Sequence, residues 1–437
     1  MRSASGRPAG LVVVAALLAA TAAAVVDEQP DGRTPGAWRA LDADEAARFD
    51  LGHAVFNTSW VPAGQPAGRR DGLGPLFNSV SCDACHNSRR RGRGPLDDGP
   101  APSDFVLQVG QRQADGGIAR GHPRFGHVVN TDAVAGFVPE AAVSIRYRAR
   151  PHARPDGSRI TLWSPAYQVE TPDGAPLPDD LVLMPRMAPS AQGVGLLEAI
   201  PDSAILAGAQ PRPGGPRGEP AWIDAGNGRV LGRFGWQGTE ATVASQVAVA
   251  FAREMGLTSA MIEAIDCASH DDACRNAAHG GTPEVEAELF EAVLAFQRLE
   301  TVRRTPDAAR RLRESRDGAR LFANTGCGDC HRSGWTTHDG LRIDPYTDLL
   351  LHDLGDALAD RDIHGTPLRS RWRTAPLWGI STALEGGRPI RLLHDGRARS
   401  IEEAIAWHGG AAAPARARFD ALHAEERQCL IDWVSSL

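Results

Sequence analysis

Two copies of the pattern C-x-x-C-H constrain this chain more than any other feature of its sequence. The first copy is Cys82–His86 and the second is Cys327–His331. With 7 Cys and 14 His among 437 residues, composition alone predicts only about 0.004 copies of the pattern. Two cysteines on one helical turn can form thioether bonds to the vinyl groups of a haem, and the following histidine can then reach the iron. The pattern therefore indicates attachment of c-type haem.

Zinc binding and dithiol redox chemistry are the alternatives for such motifs. A zinc ribbon places its cysteine pairs about 15–20 residues apart, whereas Cys327 follows His86 by 241 positions. A thioredoxin-type motif needs a surrounding βαβ pattern, which the sequence does not show. We therefore predict two covalently bound haem c groups. The predicted attachment residues and proximal iron ligands are Cys82, Cys85 and His86 for the first haem, and Cys327, Cys330 and His331 for the second.

The N-terminus has the composition of an export signal. Arg2 and Arg7 precede an apolar run, Leu11–Val26, which ends in small residues. The run has 16 residues, fewer than the roughly 20 that a spanning helix needs. Residues 1–26 are thus predicted to be a signal peptide, with an uncleaved anchor as the alternative. We expect a periplasmic protein, in contact with a membrane only if this segment is retained.

Composition excludes some classes of function and leaves others open. The chain has 47 Lys+Arg against 54 Asp+Glu, a formal net charge of −7, so nucleic-acid binding is not expected. Cys267 and Cys274 bracket a polar loop, and a disulfide is expected between them in an exported protein. Cys429 lies between apolar neighbours near the C-terminus and is expected to be buried.

Apolar spacing predicts a mainly α fold. Two short strands are also expected, Phe105–Val109 and Ala142–Tyr147, within a Pro- and Gly-rich region, 103–230, that has weak periodicity. The prediction is of two cytochrome c-like haem domains with long irregular loops, over residues 27–302 and 303–437. The predicted helices are Leu41–Phe56, Thr242–Met255, Pro283–Val302, Asp307–Asn324 and Ala415–Leu437.

A weak internal repeat relates the two halves. Trp236–Val243 and His394–Ile401 each contain a glycine turn, a Thr or Ser cap and a β-branched residue that opens a helix. His408 lies fourteen residues after His394, and the corresponding position after Trp236 is Ala250. An iron with two strong ligands transfers electrons, whereas an open position can bind peroxide or dioxygen. We therefore predict His408 as the distal ligand of the second haem and the first haem as the reactive one.

The repeat leaves two questions open. His408 could instead be a solvated histidine at a helix end. The distal side of the first haem also has several candidate ligands, none of which the sequence singles out: His53, His122, His127, His152, Met184 and Met187.

Several further motifs occur in a characteristic order around these positions. They are Asp71–Asn78 before the first haem motif, and then Gly193–Ile200, Arg233–Trp236 and Leu393–Ala398. With these motifs, the chain over residues 45–437 resembles the di-haem oxidoreductase family of peroxidases, once described as thiol oxidoreductases. That family is related to the bacterial di-haem cytochrome c peroxidases.

The resemblance implies roles for individual residues. Trp236 occupies the motif of the tryptophan that relays electrons between the haems, and Gln246 that of a glutamine lining the peroxide pocket. Glu254 has the sequence context of the acid/base glutamate but lies two residues closer to this glutamine, so Glu198 is a second candidate. His408 stands where the peroxidases have a distal methionine. The T-x-P motif near the peroxidase calcium is not reproduced before His394, so calcium is not predicted.

The predicted function is thus that of an exported di-haem c-type oxidoreductase. It is expected to reduce hydrogen peroxide, or a related oxidant, with electrons from a small redox protein such as a cytochrome c or a cupredoxin. One alternative is an electron-transfer or redox-sensing cytochrome without turnover. A second alternative is a di-haem oxygenase or oxidase.

Overall fold

The computed structural model describes residues 36–66, 68–88, 90–95, 97–209, 215–387 and 389–437. The signal-peptide prediction for residues 1–26 lies outside these described residues. Within them, no helix combines the length and the apolar character needed to cross a membrane.

The helices flank both haem motifs. In chain order they are α1 (Ala43–Asn57), α2 (Cys82–His86), α3 (Val194–Glu198), α4 (Asp202–Gly208), α5 (Val243–Glu254), α6 (Asp272–Arg275), α7 (Ala287–Leu299), α8 (Pro306–Glu314), α9 (Arg316–Asn324), α10 (Ile380–Ala383), α11 (Ile401–Trp407), α12 (Ala413–Asp420) and α13 (Ala424–Val434).

The longest strands lie between the two motifs in sequence. They are β1 (Val61–Pro62), β2 (Asp71–Leu73), β3 (Leu76–Phe77), β4 (Gly99–Pro100), β5 (Phe105–Arg112), β6 (Ile118–Arg120), β7 (Asp132–Ala133), β8 (Ala142–Ala153), β9 (Arg159–Glu170), β10 (Leu181–Met187), β11 (Ala221–Asp224), β12 (Arg229–Gly232), β13 (Trp335–Thr336), β14 (Arg342–Ile343), β15 (Leu351–Asp353), β16 (Asp360–Asp362), β17 (Pro367–Arg369) and β18 (Arg371–Arg373).

The prediction of a mainly α, cytochrome c-like fold is wrong. The chain is 31% helical and 23% strand, and it forms several sheets. The largest has the strand order β17-β16-β10-β5-β6 and joins strands from both sides of residue 302. β10 is buried along nearly its whole length, so its sequence has no period-2 alternation to identify it as a strand.

A long hairpin adds to the strand content. β8 and β9 pair antiparallel from Ala142 opposite Glu170 to Ala153 opposite Arg159. The predicted strands Phe105–Val109 and Ala142–Tyr147 are confirmed, but the structure extends both into longer strands, β5 and β8.

The predicted helices are confirmed, two of them in two pieces. α1, α5 and α7 lie within one to four residues of their predicted ends. The predicted helix Asp307–Asn324 is interrupted at Ser315, whose backbone (φ −87°, ψ 68°) is not helical, giving α8 and α9. The C-terminal helix divides before His423, where the Glu426 side chain and the His423 backbone begin a new capped helix, α13.

A pair of closely packed helices lies next to each haem motif. In α1, a Cβ atom on Gly52 would lie 1.9 Å from the carbonyl oxygen of Ala292, so glycine allows α1 and α7 to touch. In α9, a Cβ on Gly318 would lie 2.3 Å from Cβ of Trp433 in α13. Both motifs are thus backed by a helix pair whose contact depends on one glycine.

The remaining cysteines differ in state. Cys267 and Cys274 form the predicted disulfide, with Cα atoms 6.0 Å apart. Cys429 is half-buried rather than buried, because it lies at the edge of the apolar cluster that α13 helps to form.

Candidate haem and active site

One cavity of about 750 Å³ connects the two C-x-x-C-H motifs. Segments 241 positions apart in sequence therefore face the same space. The six motif residues all line it: Cys82, Cys85, His86, Cys327, Cys330 and His331.

The first motif lies on α2, which is capped by its own preceding residue. The Ser81 hydroxyl accepts a hydrogen bond of 3.1 Å from the amide of Ala84. Nδ1 of His86 lies 2.8 Å from the carbonyl oxygen of Pro189. A carbonyl can only accept, so Nδ1 carries the proton and Nε2 is left with a lone pair for a metal. Burial lowers the pKa of His86 and favours this neutral form.

The second motif repeats this arrangement with different partners. Nδ1 of His331 lies 3.0 Å from the carbonyl oxygen of Tyr346, and burial lowers the pKa of His331 to about 4. Sγ of Cys330 lies 3.7 Å from Nδ1 of His352, and Nε2 of His352 lies 2.8 Å from Oδ2 of Asp348. Both motifs therefore orient a neutral imidazole through a backbone carbonyl.

A second imidazole faces the second motif. The ring centres of His331 and His408 are 6.4 Å apart, and Nδ1 of His408 lies 2.6 Å from the carbonyl oxygen of Ala404. A metal–imidazole bond is about 2.0 Å long and the ring centre lies roughly 1.1 Å behind its nitrogen, so two imidazoles on one metal have centres about 6.3 Å apart. These residues fit a haem iron with two axial histidines.

The first motif faces a different helix surface. Gln246, Ala250 and Glu254 of α5, spaced four residues apart, all line the cavity. The aromatic ring beside His86 is that of Phe56, with centres 6.1 Å apart. Ala250 has no ligating atom, and it occupies the position in α5 that His408 occupies after α11.

Glu254 is the carboxylate of this helix surface. Its Oε2 is buried and has no hydrogen-bond partner among the residues that the structure describes. Burial raises the pKa of Glu254 to about 7. Its carbonyl oxygen accepts hydrogen bonds from the amides of Asn78 (2.8 Å) and Ser79 (3.0 Å), which ties the end of α5 to the segment preceding Cys82.

Trp236 links several segments inside the cavity wall. Its Nε1 donates to the carbonyl oxygen of Met187 at 2.9 Å, and its own carbonyl accepts from the amide of Arg373 at 2.9 Å. The guanidinium of Arg91 lies 5.0 Å over its ring. The ring is held in one orientation in the wall between the motifs.

Glu198, the second acid/base candidate, does not line the cavity. Its Oε1 accepts from the amide of Val243 at 2.8 Å, at the start of α5, and its Oε2 accepts from Nε of Arg298 at 2.8 Å. Both carboxylate oxygens are engaged, and the residue anchors α5 rather than facing the cavity.

Of the six candidate ligands for the first haem, only Met187 lines the cavity. Its sulfur lies so close to two glycines that a Cβ atom on Gly94 would be 2.7 Å from it and a Cβ atom on Gly396 would be 2.8 Å from it. His53 lies with its ring centre 5.1 Å from that of Phe296, and Met184 is buried in β10. Three histidines pair with carboxylates, at 3.1, 2.8 and 2.9 Å: His122 with Asp180, His127 with Asp266 and His152 with Asp420.

The cavity wall also contains residues that the sequence analysis did not predict as functional, among them Arg91, Trp372, Arg373 and His394. The rings of Trp372 and His394 stack with centres 3.7 Å apart and an interplanar angle of 13°. Arg91 lies in a basic stretch of the sequence, and His394 belongs to the repeat and to the Leu393–Ala398 motif without a role of its own. Because three distant segments supply these residues, sequence spacing alone does not relate them.

Comparison with known families identifies the chain. The model of a family described as "Di-haem oxidoreductase, putative peroxidase" matches residues 25–114 and 127–437. The chain belongs to this di-haem oxidoreductase family. The resemblance read from its motifs is confirmed, and membership implies two haems.

A structure of Kuenenia stuttgartiensis hydrazine synthase pressurized with 20 bar xenon matches with 13% identity and a TM-score of 0.34. That match covers 99% of this chain and 100% of the other. A search of curated proteins finds no significant match.

Proposed function

We propose that this di-haem oxidoreductase is an exported c-type peroxidase. It reduces hydrogen peroxide with two electrons and two protons to give two water molecules. A small redox protein, such as a cytochrome c or a cupredoxin, supplies the electrons. The observation that carries the proposal is the asymmetry of the two motifs: His331 faces a second imidazole at 6.4 Å, whereas the first motif shares its cavity with the carboxyl-bearing surface of α5.

The motif residues would hold the two haems. Cys82 and Cys85 would form the thioether bonds of one haem, and Cys327 and Cys330 those of the other, with His86 and His331 as the proximal ligands. When bound, haem supplies iron that exchanges one electron at a time and that can bind an oxidant at an open axial position.

Glu254 would transfer protons to and from the peroxide, and Gln246 would stabilise its negative charge. A carboxyl group with a pKa of about 7 can take the proton from one peroxide oxygen and deliver it to the departing oxygen near neutral pH. The amide of Gln246 can donate a hydrogen bond to the negative charge that develops as the O–O bond breaks.

His331 and His408 would make the second haem an electron-transfer centre. An iron held by both imidazoles would have no position left for an oxidant. Trp236, held in the wall of the shared cavity, would then relay electrons from this centre toward the first haem.

Export is supported by two features. The N-terminal segment has the composition of a signal peptide, and the Cys267–Cys274 disulfide is of a kind that persists outside the reducing cytoplasm. Export also suits the attachment of c-type haem, which takes place outside the cytoplasm.

The test is peroxide consumption by the purified holoprotein with a reduced one-electron donor, after covalent haem has been counted. Oxidised and half-reduced protein are compared, and electron paramagnetic resonance reports the spin state of each haem. We expect two covalent haems, one high-spin or weakly ligated iron, and turnover. Two low-spin irons without turnover in either state would overturn the proposal in favour of an electron-transfer or redox-sensing cytochrome.

A further inference from the structure

Two arginines, the half-buried Arg91 and the buried Arg373, lie beside Trp236 in the cavity wall. The guanidinium of Arg91 lies 5.0 Å from the centre of the Trp236 ring. Arg373 donates hydrogen bonds to the carbonyl oxygens of Gly235 and Trp236. Among the described residues, neither guanidinium lies within 4 Å of a carboxylate, and both line the cavity between the haem motifs. A desolvated cation is unfavourable unless it is paired.

Backbone carbonyls satisfy only part of each guanidinium. Arg91 donates from Nε to Arg391 at 2.6 Å and from Nη2 to Leu393. Arg373 donates from Nε to Gly235 at 2.9 Å and from Nη1 to Thr374 at 3.3 Å. Among the described residues, Nη1 of Arg91 and Nη2 of Arg373 have no hydrogen-bond partner. Each arginine is thus fixed in place with one terminal nitrogen unused.

A third unused donor lies beside them. His394 is 4% exposed, and its Nε2 has no hydrogen-bond partner in the described part of the chain. The nearest carboxylate oxygen, of Asp395, is 3.9 Å away, and Asp395 accepts instead from Arg397 and Tyr167. The imidazole stacks on Trp372, the residue before Arg373. It therefore faces the same cavity with a nitrogen available for a hydrogen bond.

Two neighbouring arginines, by contrast, form ion pairs with carboxylates. Arg186, which lies 4.8 Å over the Trp372 ring, makes two bonds of 2.7 Å to Asp360. Arg397 is likewise paired with Asp395 at 2.8 Å. The described part of the chain thus places a carboxylate within 4 Å of each of these two arginines but of neither Arg91 nor Arg373. Burial accordingly lowers the pKa of Arg91 to about 9 and that of Arg373 to about 10.

We propose that Arg91, Arg373 and His394 form a binding site for carboxylate groups that the protein itself does not supply, namely the propionates of the two haems. Planar guanidinium groups bind carboxylates with paired, charge-assisted hydrogen bonds. Arg91 and Arg373 also contact Trp236 or the backbone beside it, so two of the residues that would neutralise the propionates also hold the tryptophan in place. This inference rests on the placement of the haems proposed above, and not on peroxidase activity.

The experiment is isotope-edited infrared spectroscopy of the holoprotein. Haem is labelled with ¹³C at its propionate carboxyl carbons, so that only those carboxylates contribute to the labelled-minus-unlabelled difference spectrum. We expect the labelled band to shift in Arg91→Gln and Arg373→Gln, and in His394→Phe, which keeps a ring for stacking but removes the donor. Arg371→Gln is the matched control, because Arg371 lies on the same strand but is exposed and paired with Glu219 at 2.7 Å.

A redox titration provides the second readout. Removing a cation beside an ionised propionate stabilises the ferric haem, so the ferrous-to-ferric ratio at a fixed potential should fall about tenfold, equivalent to about 59 mV for one electron. Arg373→Lys, which keeps the charge but loses the planar fork, should shift the infrared band with little change of potential. The lysine variant also tests the proposal if Arg373→Gln does not fold.

The outcomes separate this inference from the proposed function. Two covalent haems with an unshifted propionate band in all three variants would overturn the carboxylate site and leave the peroxidase proposal standing. Fewer than two covalent haems in the wild-type protein would instead contradict the haem placement on which both depend.

Discussion

The two haem motifs share one proximal design and differ on the opposite side. His86 and His331 each direct Nδ1 to a backbone carbonyl, at 2.8 and 3.0 Å. Across the cavity, the second motif meets the imidazole of His408, whereas the first meets a helix surface with Ala250 and Glu254. The two halves therefore differ in the helix that faces the motif across the cavity, and not in the motif itself.

Helix length explains this difference. Ala250 and His408 are both seven residues beyond the first residue of their helices, α5 and α11. α11 ends at Trp407, and His408 adopts an extended backbone (φ −64°, ψ 114°) at its C-terminus. α5 continues for four residues beyond Ala250 and brings Glu254 to the cavity wall. One helix is thus followed by an imidazole, while the other passes that position and ends in a carboxyl group.

The largest expected effect tests the carboxyl side of this comparison. Glu254→Gln should lower peroxide turnover by about 10²–10⁴-fold, because the amide cannot take up and return a proton. Stopped-flow peroxide consumption measures the loss. Glu198→Gln is the control, since Glu198 has the same chemistry outside the cavity. Equal losses in the two variants would show that Glu254 has no special role.

The imidazole side is tested by His408→Ala. Removing this ring should convert the second haem from low-spin to high-spin, so that one of the two haems per chain changes its signal. Electron paramagnetic resonance and the optical spectrum report the change, with His364→Ala as the control at an exposed histidine. An unaltered low-spin signal would mean that His408 is not a ligand and that the comparison between the halves is incorrect.

Trp236→Phe addresses the connection between the halves. The variant keeps an aromatic ring but loses the 2.9 Å hydrogen bond to Met187 and the more easily oxidised indole. Electron transfer between the haems, measured by flash photolysis or stopped flow, should slow severalfold while haem content stays constant. Trp222→Phe, at a tryptophan 46% exposed on β11, should leave the rate unchanged. An unchanged rate in Trp236→Phe itself would remove the relay role.

The smallest effect concerns stability. The pKa of Glu254 is raised from 4.5 to about 7 in the folded protein, so the folded state binds more protons than the unfolded state between these values. The free energy of unfolding should therefore fall as pH rises through this window, and Glu254→Gln should remove about 1–3 kcal/mol of that fall. Denaturant titrations at pH 4.5 and pH 8 measure it. Parallel curves for the two proteins would place Glu254 in a solvated environment.

The sequence predicted the features that depend on local spacing. The C-x-x-C-H motifs require only five consecutive residues, and the helices follow from apolar positions three and four residues apart. The family could be recognised for the same reason, because its motifs are short segments in a fixed order. The Cys267–Cys274 disulfide spans a loop short enough to be read from the chain.

The sheet could not be predicted in the same way. β10 is buried on both faces and lacks alternation, and the residues with which it pairs lie 70–82 positions away in β5 and 178–180 positions away in β16. The prediction of a mainly α fold failed there because a buried strand has no local pattern that distinguishes it from other apolar segments.

The sequence by itself determined that this protein carries two haem motifs, where its main helices lie and to which family it belongs. Only the tertiary structure decided which side chains share the cavity. It brought Glu254 to the cavity wall and left Glu198 as an anchor of α5, and it placed Arg91, Arg373 and His394 in the wall of the same cavity. The physical reason is that a C-x-x-C-H motif consists of consecutive residues, which the sequence shows directly. The groups that face it come from distant segments, which meet only when the chain packs.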